Sequence, residues 1–426
     1  MLVELAYGKD GLDVELPDDW QVQIIEPVHL PGLQQPLTAI RRALRQPNAG
    51  VSLASLVDAG TTIGIILNDI TRATPSSLLL DAILAELSDI PDSHITLFIA
   101  LGTHRPNTKA ELAGILGEKY LDRFKIVQNN AFDRSSQVQI GVTRRGHPIW
   151  INRHLLNCDL KILTGFIEPH FFAGYSGGGK AVMPGMAGLD TILANHGADM
   201  IAGSNATWGI TTGNPIWEEI QEIAGLIGNA FLLNVALNRD QEVTAVFTGN
   251  PYDAIVEGCS FVSQHAMQPV TQLFDIVVTS NSGFPLDLNL YQTVKGISAA
   301  ARIVRQGGAI IAASECWDGL PEHGRFAELL QGAQSPQGLL ARIMQPSFQM
   351  HDQWQAQILA QIMTKADIYI FSEGLSETQL QQAMLKKSYH IEDTLADLLK
   401  ICGREAKIAV LPQGPLTVPY LSLIHI

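Results

Sequence analysis

One histidine, His170, and one lysine, Lys180, stand in a glycine-rich segment that runs from Gly165 to Gly188, and another histidine, His196, follows it. Glycine lets the backbone approach a ligand closely and present its N–H groups to anionic oxygens. Imidazole can act as a base, an acid or a metal ligand, and a lysine amine can act as a nucleophile or a covalent tether. We therefore interpret this segment as a ligand-binding site.

Taken alone, Gly174–Lys180 is compatible with two other functions. Its spacing fits a phosphate-binding loop, but Ala181 occupies the position of the hydroxyl that would hold Mg²⁺. Ser176 fits the Gly-x-Ser-x-Gly pattern of a nucleophile elbow, but that motif needs a helix after the serine, where further glycines and Pro184 follow. A nucleotide-binding or nucleotide-hydrolysing protein of the phosphate-loop kind is kept as the alternative.

Three short apolar runs, typical of strands buried on both faces, each lead into polar residues. The runs and the residues after them are 61–67 with Asp69 and Arg72, 95–101 with His104 and Arg105, and 160–167 with His170. Helical segments separate the runs, and Thr74 with Pro75 predicts the start of the first helix, over 76–87. This alternation predicts an α/β protein with mostly parallel sheets, in which ligands bind beyond the carboxyl ends of the strands. We expect the polar residues to converge there.

A second strand–helix–strand unit begins near residue 270. A strand is predicted over 273–279, a helix over 291–305 and a strand over 308–313. Gln292 and Lys295 are three residues apart at the start of that helix and so share a face. We place one domain at 1–270 and the other at 271–426.

The composition excludes several classes of function. Hydrophobic residues make up 46% of the chain and charged residues 16%, which is typical of a compact enzyme, and the net charge of −14 disfavours nucleic acid or an anionic membrane as partner. None of the four cysteines forms a Cys-x-x-Cys pair, and no apolar run has the length of a signal peptide or a membrane span. We expect a cytoplasmic protein.

The last six residues, 421–426, have the sequence that a common sequencing-library adapter encodes when translated. We expect the native chain to diverge near Tyr420, and we assign no role to His425.

Taken together, four separated motifs resemble the nickel-dependent lactate racemase family. They are Asp69-Ile-Thr-Arg72, Gly102-Thr-His104-Arg-Pro106, Gly165-Phe-Ile-Glu-Pro-His170 continued through Lys180 to His196, and Tyr291-Gln-x-x-Lys295-Gly. They occur in the family's order and with similar spacing over nearly the whole chain. The sequence departs from the family pattern at Ala73, where proline is expected.

The resemblance implies a nickel-pincer nucleotide, a pyridinium mononucleotide whose two sulfurs and one ring carbon bind nickel. Lys180 would hold this cofactor covalently, and His196 would be the fourth nickel ligand. The implied activity is that of an isomerase, a racemase or epimerase that inverts C2 of a 2-hydroxy acid, lactate first among them. The implied reaction is a hydride transfer to and from the cofactor through a 2-keto acid, with His104 and His170 as the acid–base pair.

The same resemblance implies roles for the remaining motif residues. Arg72 would bind the substrate carboxylate, and Gln292 and Lys295 would complete the substrate site. Contacts with the cofactor are expected from Asp69, Tyr291, Ser176, Gly177 and Gly178. The implied partners are a 2-hydroxy acid and the proteins that synthesise the cofactor, and the active site would lie in the cleft between the domains.

Overall fold

The computed structural model describes residues 1–321, 324–403 and 405–422. The chain forms two compact units. The N-terminal unit comprises 29–196 and 203–264, and the C-terminal unit comprises 1–28, 197–202 and the chain from 265 onward. Of the hexapeptide expected to be non-native, 423–426 lie outside the described residues.

The strands alternate with helices for most of the chain. They are β1 (Leu2–Leu5), β2 (Leu12–Glu15), β3 (Gln21–Ile24), β4 (Ile63–Asn68), β5 (Ile95–Ala100), β6 (Lys125–Gln128), β7 (Gln137–Val142), β8 (Pro148–Asn152), β9 (Leu160–Phe166), β10 (Pro169–His170), β11 (Gly174–Tyr175), β12 (Ala230–Leu237), β13 (Val243–Gly249), β14 (Met267–Val270), β15 (Phe274–Ser280), β16 (Val304–Ala313), β17 (Ala366–Phe371), β18 (Lys386–Ser388), β19 (Lys407–Leu411) and β20 (Val418–Leu421).

The helices lie between these strands. They are α1 (Pro36–Arg45), α2 (Ser76–Glu86), α3 (Lys109–Leu116), α4 (Glu118–Leu121), α5 (Arg153–Leu156), α6 (Leu189–Asn195), α7 (Ala198–Ile201), α8 (Pro215–Gly225), α9 (Pro251–Ala266), α10 (Leu290–Ala300), α11 (Phe326–Gln331), α12 (Pro336–Ile343), α13 (Gln353–Met363), α14 (Glu377–Gln382) and α15 (Ile391–Cys402). Short 3₁₀ turns occur at Leu53–Leu56, Asp92–His94, Arg134–Ser136, Gly178–Ala181 and Gly414–Leu416.

The N-terminal unit is built on a six-stranded sheet with the order β13-β12-β9-β4-β5-β6. Every neighbouring pair is parallel except β12 with the edge strand β13. The central strands are mostly apolar, as expected of strands buried on both faces, and Ile65, Leu97 and Ile162 have no exposed surface. They share one core with Leu80 and Ile83 of α2. The predicted α/β class with mostly parallel sheets is confirmed.

This strand order brings three predicted strand ends together. Strands β9, β4 and β5 are neighbours in the sheet and run parallel. They end at Phe166, Asn68 and Ala100, so the chain that follows each one leaves from the same edge of the sheet. The residues after these three strands are therefore the ones that the fold can combine in one site.

The C-terminal unit contains a second six-stranded sheet, in the order β18-β17-β16-β15-β19-β3, and every pair in it is parallel. Its edge strand β3 comes from the start of the chain, where Gln21–Ile24 pairs with Lys407–Val410 of β19. The domain boundaries drawn from sequence differ here, since residues 1–28 belong to this unit. The reason is that the hairpin β1–β2 packs its buried Leu5 and Val14 into the core of this sheet.

Two local predictions were wrong. Thr74 does not cap α2, because its hydroxyl donates to Asn68 Oδ1 at 2.6 Å and the N-cap position is Pro75. The helix predicted over 291–305 ends at Ala300, and β16 begins at Val304. None of the helices within the described residues combines the length and apolarity needed to cross a bilayer.

Candidate active site

Asp69 and His104 form a hydrogen-bonded pair at the carboxyl ends of β4 and β5. Asp69 Oδ2 lies 2.7 Å from His104 Nδ1, and Asp69 is 5% exposed. Burial by itself would raise the pKa of Asp69, but the charge and hydrogen bond of His104, with help from Thr71 and Arg72, hold it below its ordinary value. The carboxylate can only accept, so His104 Nδ1 carries a proton and, in the neutral ring, Nε2 carries none.

Arg72 lies beside this pair and contacts a carboxylate from the neighbouring strand end. Its Nη1 is 3.4 Å from Glu168 Oε1, a long contact, and both side chains are about a quarter exposed, at 23% each. A planar guanidinium suits a carboxylate that binds through two oxygens. The position of Arg72 at this edge fits its predicted role, which stays a prediction.

His170 has the opposite arrangement of hydrogen bonds. It is 7% exposed, and its Nδ1 accepts a hydrogen bond from the backbone N–H of Ala173 at 3.2 Å. The tight turn between β10 and β11, which pairs His170 with Gly174, brings that N–H to the ring. Because Nδ1 accepts, the proton of the neutral ring lies on Nε2.

The ring of Phe172 brings three predicted site residues together. Its centroid lies 4.5 Å from that of His170 and 4.9 Å from that of His196, in both cases edge to face. Lys180 Nζ lies 5.6 Å from the same centroid. Asn214 holds the backbone of Phe172 through a 2.9 Å hydrogen bond to its carbonyl oxygen. The structure thus groups an amine and two imidazoles around one buried phenyl ring.

His196 is held as a neutral imidazole with a defined proton. It follows α6, is 4% exposed, and its Nδ1 lies 2.9 Å from Asn195 Oδ1. Burial and the charge of Lys180 hold the pKa of His196 well below its ordinary value. A neutral imidazole is the form that binds a metal ion.

The glycine-rich segment packs mainly against the protein. The N–H of Gly178 donates to Asn234 Oδ1 at 2.8 Å, and a Cβ added at Gly178 would lie 2.7 Å from Ile255. The N–H of Ser176 donates to the carbonyl oxygen of Glu168. A Cβ at Gly177 would lie 2.5 Å from Asn234. This geometry favours close packing and does not support the phosphate-loop alternative, and cofactor contacts by Ser176, Gly177 and Gly178 stay predictions.

The predicted residues of the fourth motif, Tyr291, Gln292 and Lys295, lie on α10 in the C-terminal unit. Tyr291 accepts a hydrogen bond from Trp354 Nε1 through its hydroxyl oxygen at 3.1 Å. Asn289 caps the helix through the N–H of Gln292. Gln292 Oε1 is buried and has no hydrogen-bond partner within the described residues. An unsatisfied buried amide oxygen fits a group that binds a ligand, as predicted for Gln292, and Lys295 lies one turn further along the same helix.

Across residues 1–321, 324–403 and 405–422, no group of three or more histidine, cysteine, aspartate or glutamate side chains could hold a metal ion. His196 is buried and neutral, so its ring has the chemistry of a single nitrogen ligand. The predicted role of His196 as a nickel ligand stays a prediction.

Sequence reasoning missed several residues of this site. Glu168 lies within the third motif, but no role was predicted for it. Its position just after β9, at the same edge of the sheet as Arg72, could have suggested their contact. Asn195 directly precedes His196, and this adjacency was equally visible. Glu219 is different, because nothing in the sequence joins it to Asn195, 24 residues away.

A buried aspartate paired with a partly exposed histidine, a second histidine and a lysine at the carboxyl end of a parallel sheet define an α/β enzyme equipped for acid–base chemistry. The sequence family described as "Lactate racemase N-terminal domain" matches residues 7–209, and "Lactate racemase C-terminal domain" matches residues 270–418. The chain belongs to the lactate racemase family, and racemases are isomerases.

Two relatives support this assignment along the chain. The lactate racemase of Thermoanaerobacterium thermosaccharolyticum is 32% identical over 418 residues, which cover 97% of this chain and 97% of the relative. The lactate racemase of Lactiplantibacillus plantarum is 33% identical over 377 residues, 88% of this chain and 89% of the relative.

Solved structures agree with the fold. The lactate racemase apoprotein from Thermoanaerobacterium thermosaccharolyticum superposes with a TM-score of 0.91 at 32% identity, covering 98% of this chain and all of that one. A protein from Thermotoga maritima has a TM-score of 0.69 at 18% identity, covering 91% of this chain and 98% of its own, and shares the fold alone.

Proposed function

We propose that this protein interconverts the two enantiomers of a 2-hydroxy acid, with lactate as the first candidate, and that it uses a nickel-pincer nucleotide. The relatives named as lactate racemases support the substrate. The observation that carries the proposal is the opposite tautomer of two histidines. His104 Nδ1 donates to the Asp69 carboxylate, so the ring proton is on Nδ1. His170 Nδ1 accepts the N–H of Ala173, so the ring proton is on Nε2.

This placement suits a reaction that takes a proton from one oxygen and later returns one. His104 presents Nε2 without a proton, so it can accept the hydroxyl proton of the substrate. The negative charge of Asp69 stabilises the imidazolium that results. His170 presents Nε2 with a proton, so it can donate a hydrogen bond to the carbonyl oxygen of the keto acid. The imidazolium of His104 then returns the proton that it took, and both rings end the turnover in their starting protonation states.

The cofactor residues fit the implied group. Lys180 would hold it covalently, and His196, buried and neutral, would supply the metal ligand from the protein. When bound, the group supplies an acceptor for the hydrogen on C2 of the substrate and gives it back. The shared contact of Lys180 and His196 with the ring of Phe172 supports their use at one site.

The remaining predicted residues would bind the substrate and the cofactor. Arg72 would hold the substrate carboxylate, and it would exchange its long contact with Glu168 for two short, charge-assisted hydrogen bonds. Gln292 would satisfy its buried amide oxygen with the ligand, and Lys295 would add a positive charge. Asp69 and Tyr291 would complete the cofactor or substrate contacts.

Cofactor-synthesis proteins are proposed as partners, because the cofactor must be made and loaded before activity appears. We also propose that the protein acts in the cytoplasm. Support comes from its cysteines, of which Cys158, Cys259 and Cys316 are buried thiols and Cys402 is a partly exposed thiol.

The test uses lactate deuterated at C2. Protein co-expressed with the cofactor-synthesis proteins and nickel is given one enantiomer, and the product is analysed by chiral chromatography and mass spectrometry. We expect racemisation with deuterium retained at C2, because the hydrogen stays within the site. Loss of deuterium to solvent would indicate proton abstraction from carbon and would contradict the proposal.

A further inference from the structure

A buried polar cluster centred on Glu219 lies beside His196 and has no role in the acid–base steps. Glu219 is on α8 and is 2% exposed. Its Oε1 accepts a hydrogen bond from Thr143 Oγ1 at 2.7 Å and lies 2.8 Å from His147 Nδ1, and its Oε2 accepts from Asn195 Nδ2 at 2.8 Å. A buried carboxylate is costly unless it is hydrogen-bonded in this way. Burial raises the pKa of Glu219, but His147, Thr143 and Asn195 outweigh that effect and lower it, so the group is an ionised acceptor.

Glu219 determines which way the amide of Asn195 faces. Asn195 has no exposed surface, and its Nδ2 donates both to Glu219 Oε2 and to the carbonyl oxygen of Ile216 at 3.3 Å. Both partners are acceptors. Rotating the amide by half a turn would place its oxygen against the Glu219 carboxylate and the Ile216 carbonyl oxygen, which can only accept. The N–H₂ group would then lose both of these acceptors. The amide oxygen therefore faces His196.

That orientation determines the tautomer of His196. Asn195 Oδ1 can only accept, and it lies 2.9 Å from His196 Nδ1. Nδ1 therefore carries the ring proton. In the neutral ring, Nε2 is then the nitrogen without a proton, which is the atom type that binds a metal.

We propose that Glu219 is a positioning residue which, through Asn195, keeps the proton of His196 on Nδ1 and so makes Nε2 the metal-binding atom. The part of this inference that concerns the metal rests on the proposed function, and the part that concerns the tautomer does not. Partners of this kind typically change metal affinity by about 10–100-fold when they are removed.

The tautomer is measured first, in protein without cofactor. The protein is labelled with ¹⁵N in its histidines, and the ring nitrogens are followed by long-range ¹H–¹⁵N correlation, with His196 assigned from the signals that vanish in His196→Gln. We expect a protonated Nδ1 and an unprotonated Nε2. A proton on Nε2 in the unmodified protein would overturn the proposal.

Two variants then test the role of the cluster. Asn195→Leu removes the acceptor, and we expect the His196 proton to move toward Nε2. Glu219→Gln is milder, because its amide can offer either an oxygen or an N–H₂ group, so Asn195 can face either way and the Nδ1–H fraction should fall. If Asn195→Leu does not fold, Glu219→Gln decides alone. An unchanged tautomer in the variants that fold would overturn the proposal.

Glu222→Gln is the matched control. Glu222 is on the same helix, and its carboxylate accepts a 2.8 Å hydrogen bond from the N–H of Arg144, next to Thr143. The substitution is identical in chemistry but does not touch Asn195. We expect the His196 tautomer to be unchanged, and a shift equal to that of Glu219→Gln would overturn the proposal.

Nickel retention separates this inference from the proposed function. After loading, we expect Glu219→Gln to lose nickel to a chelator about tenfold faster than the unmodified protein and Glu222→Gln. Equal retention in all three would overturn the role of Glu219 toward the metal. If the unmodified protein retains no nickel while the tautomer results hold, the proposed function fails and control of the tautomer by Glu219 stands.

Discussion

Asp69 and His104 meet through a 2.7 Å contact between Oδ2 and Nδ1 at the ends of two neighbouring parallel strands. The carboxylate is buried, so it restricts both the ring orientation and the tautomer of His104. His170, in contrast, receives a backbone N–H at its Nδ1. In the neutral rings, Nε2 therefore carries no proton in His104 and carries one in His170. The fold sets this difference before any ligand binds.

Replacing Asp69 with asparagine should reverse the tautomer of His104. The amide can donate to Nδ1, which moves the ring proton to Nε2 and removes the base. We expect kcat to fall by about 100-fold or more, in line with the usual contribution of a general base. The measurement is the initial rate of racemisation from each enantiomer. Because the equilibrium constant of racemisation is unity, kcat/KM must fall equally in both directions.

Thr71→Val is the control for this substitution. The Thr71 hydroxyl donates to Asp69 Oδ1 at 2.7 Å, so its loss weakens the support of the carboxylate but keeps the contact with His104. We expect less than a tenfold loss of kcat, which corresponds to roughly one ordinary hydrogen bond. Equal losses in the two variants would mean that Asp69 acts through packing rather than through His104.

Much of this arrangement could be predicted from sequence, because it depends on local patterns. The apolar run 95–101 became β5, and Thr108 caps α3 in a reciprocal pair with Glu111. The contacts that could not be predicted depend on tertiary packing. Pairing of β3 with β19 joins the two ends of the chain, and the hydrogen bond from Asn195 to Glu219 requires α6 and α8 to meet. The proton position on His170 depends on the turn that brings the N–H of Ala173 to its ring.

Phe172 should matter for activity beyond its share of the core. It is 3% exposed, and its ring contacts His170, His196 and the amine of Lys180. We expect Phe172→Leu to lower the free energy of unfolding by about 1–2 kcal/mol, as is usual for loss of buried volume. Activity should fall further than this loss explains, because three site residues lose their common contact.

Phe98→Leu provides the comparison for Phe172→Leu. Phe98 has no exposed surface and lies within β5. Urea unfolding should give a similar loss of stability for both variants, whereas the racemisation rate of Phe98→Leu should stay close to that of the unmodified protein. Equal activity in the two variants would mean that Phe172 only fills space.

Gly178→Ala should lower the free energy of unfolding much more than an alanine substitution at another glycine with positive φ. Gly178 has a φ of 54°, and a Cβ there would lie 2.7 Å from Ile255. Gly146 has a φ of 85° but no atom within 4 Å of an added Cβ. We expect about 1 kcal/mol of destabilisation for Gly146→Ala, from the backbone alone, and clearly more for Gly178→Ala. Thermal or urea unfolding of the two variants measures the difference, and equal costs would contradict the packing described for this loop.

The ion pair of Glu111 should make stability depend on pH. Hydrogen bonds from Arg105, opposed by burial and assisted by Thr108, lower the pKa of Glu111 to about 2. A lowered carboxyl pKa stabilises the fold above the ordinary value of 4.5, and this contribution is lost as the pH falls toward 2. Arg105 is largely exposed, so we expect Glu111→Gln to cost only about 1 kcal/mol at pH 7.

The difference in the free energy of unfolding between Glu111→Gln and the unmodified protein should shrink between pH 5 and pH 3. Urea titrations at several pH values measure it. Glu118→Gln, at the start of α4, controls for the loss of a negative charge near a helix start. A difference that stays constant with pH would mean that the helix cap, rather than the charge of Glu111, provides the stability.

Arg72 should recognise the carboxylate of the substrate, and its planar fork should matter as much as its charge. Arg72→Lys keeps the charge but cannot form two parallel hydrogen bonds. We expect KM to rise by about 10–100-fold with a smaller change in kcat, as the loss of one charge-assisted hydrogen bond would give. Arg105→Lys, at the same edge but paired with Glu111, should leave KM unchanged.

The amide of lactic acid, which has no carboxylate, gives a sharper test of Arg72. The ratio of kcat/KM for lactate to kcat/KM for the amide should be smaller in Arg72→Lys than in the unmodified protein. If that preference persists, Arg72 serves to hold Glu168, and another group binds the carboxylate.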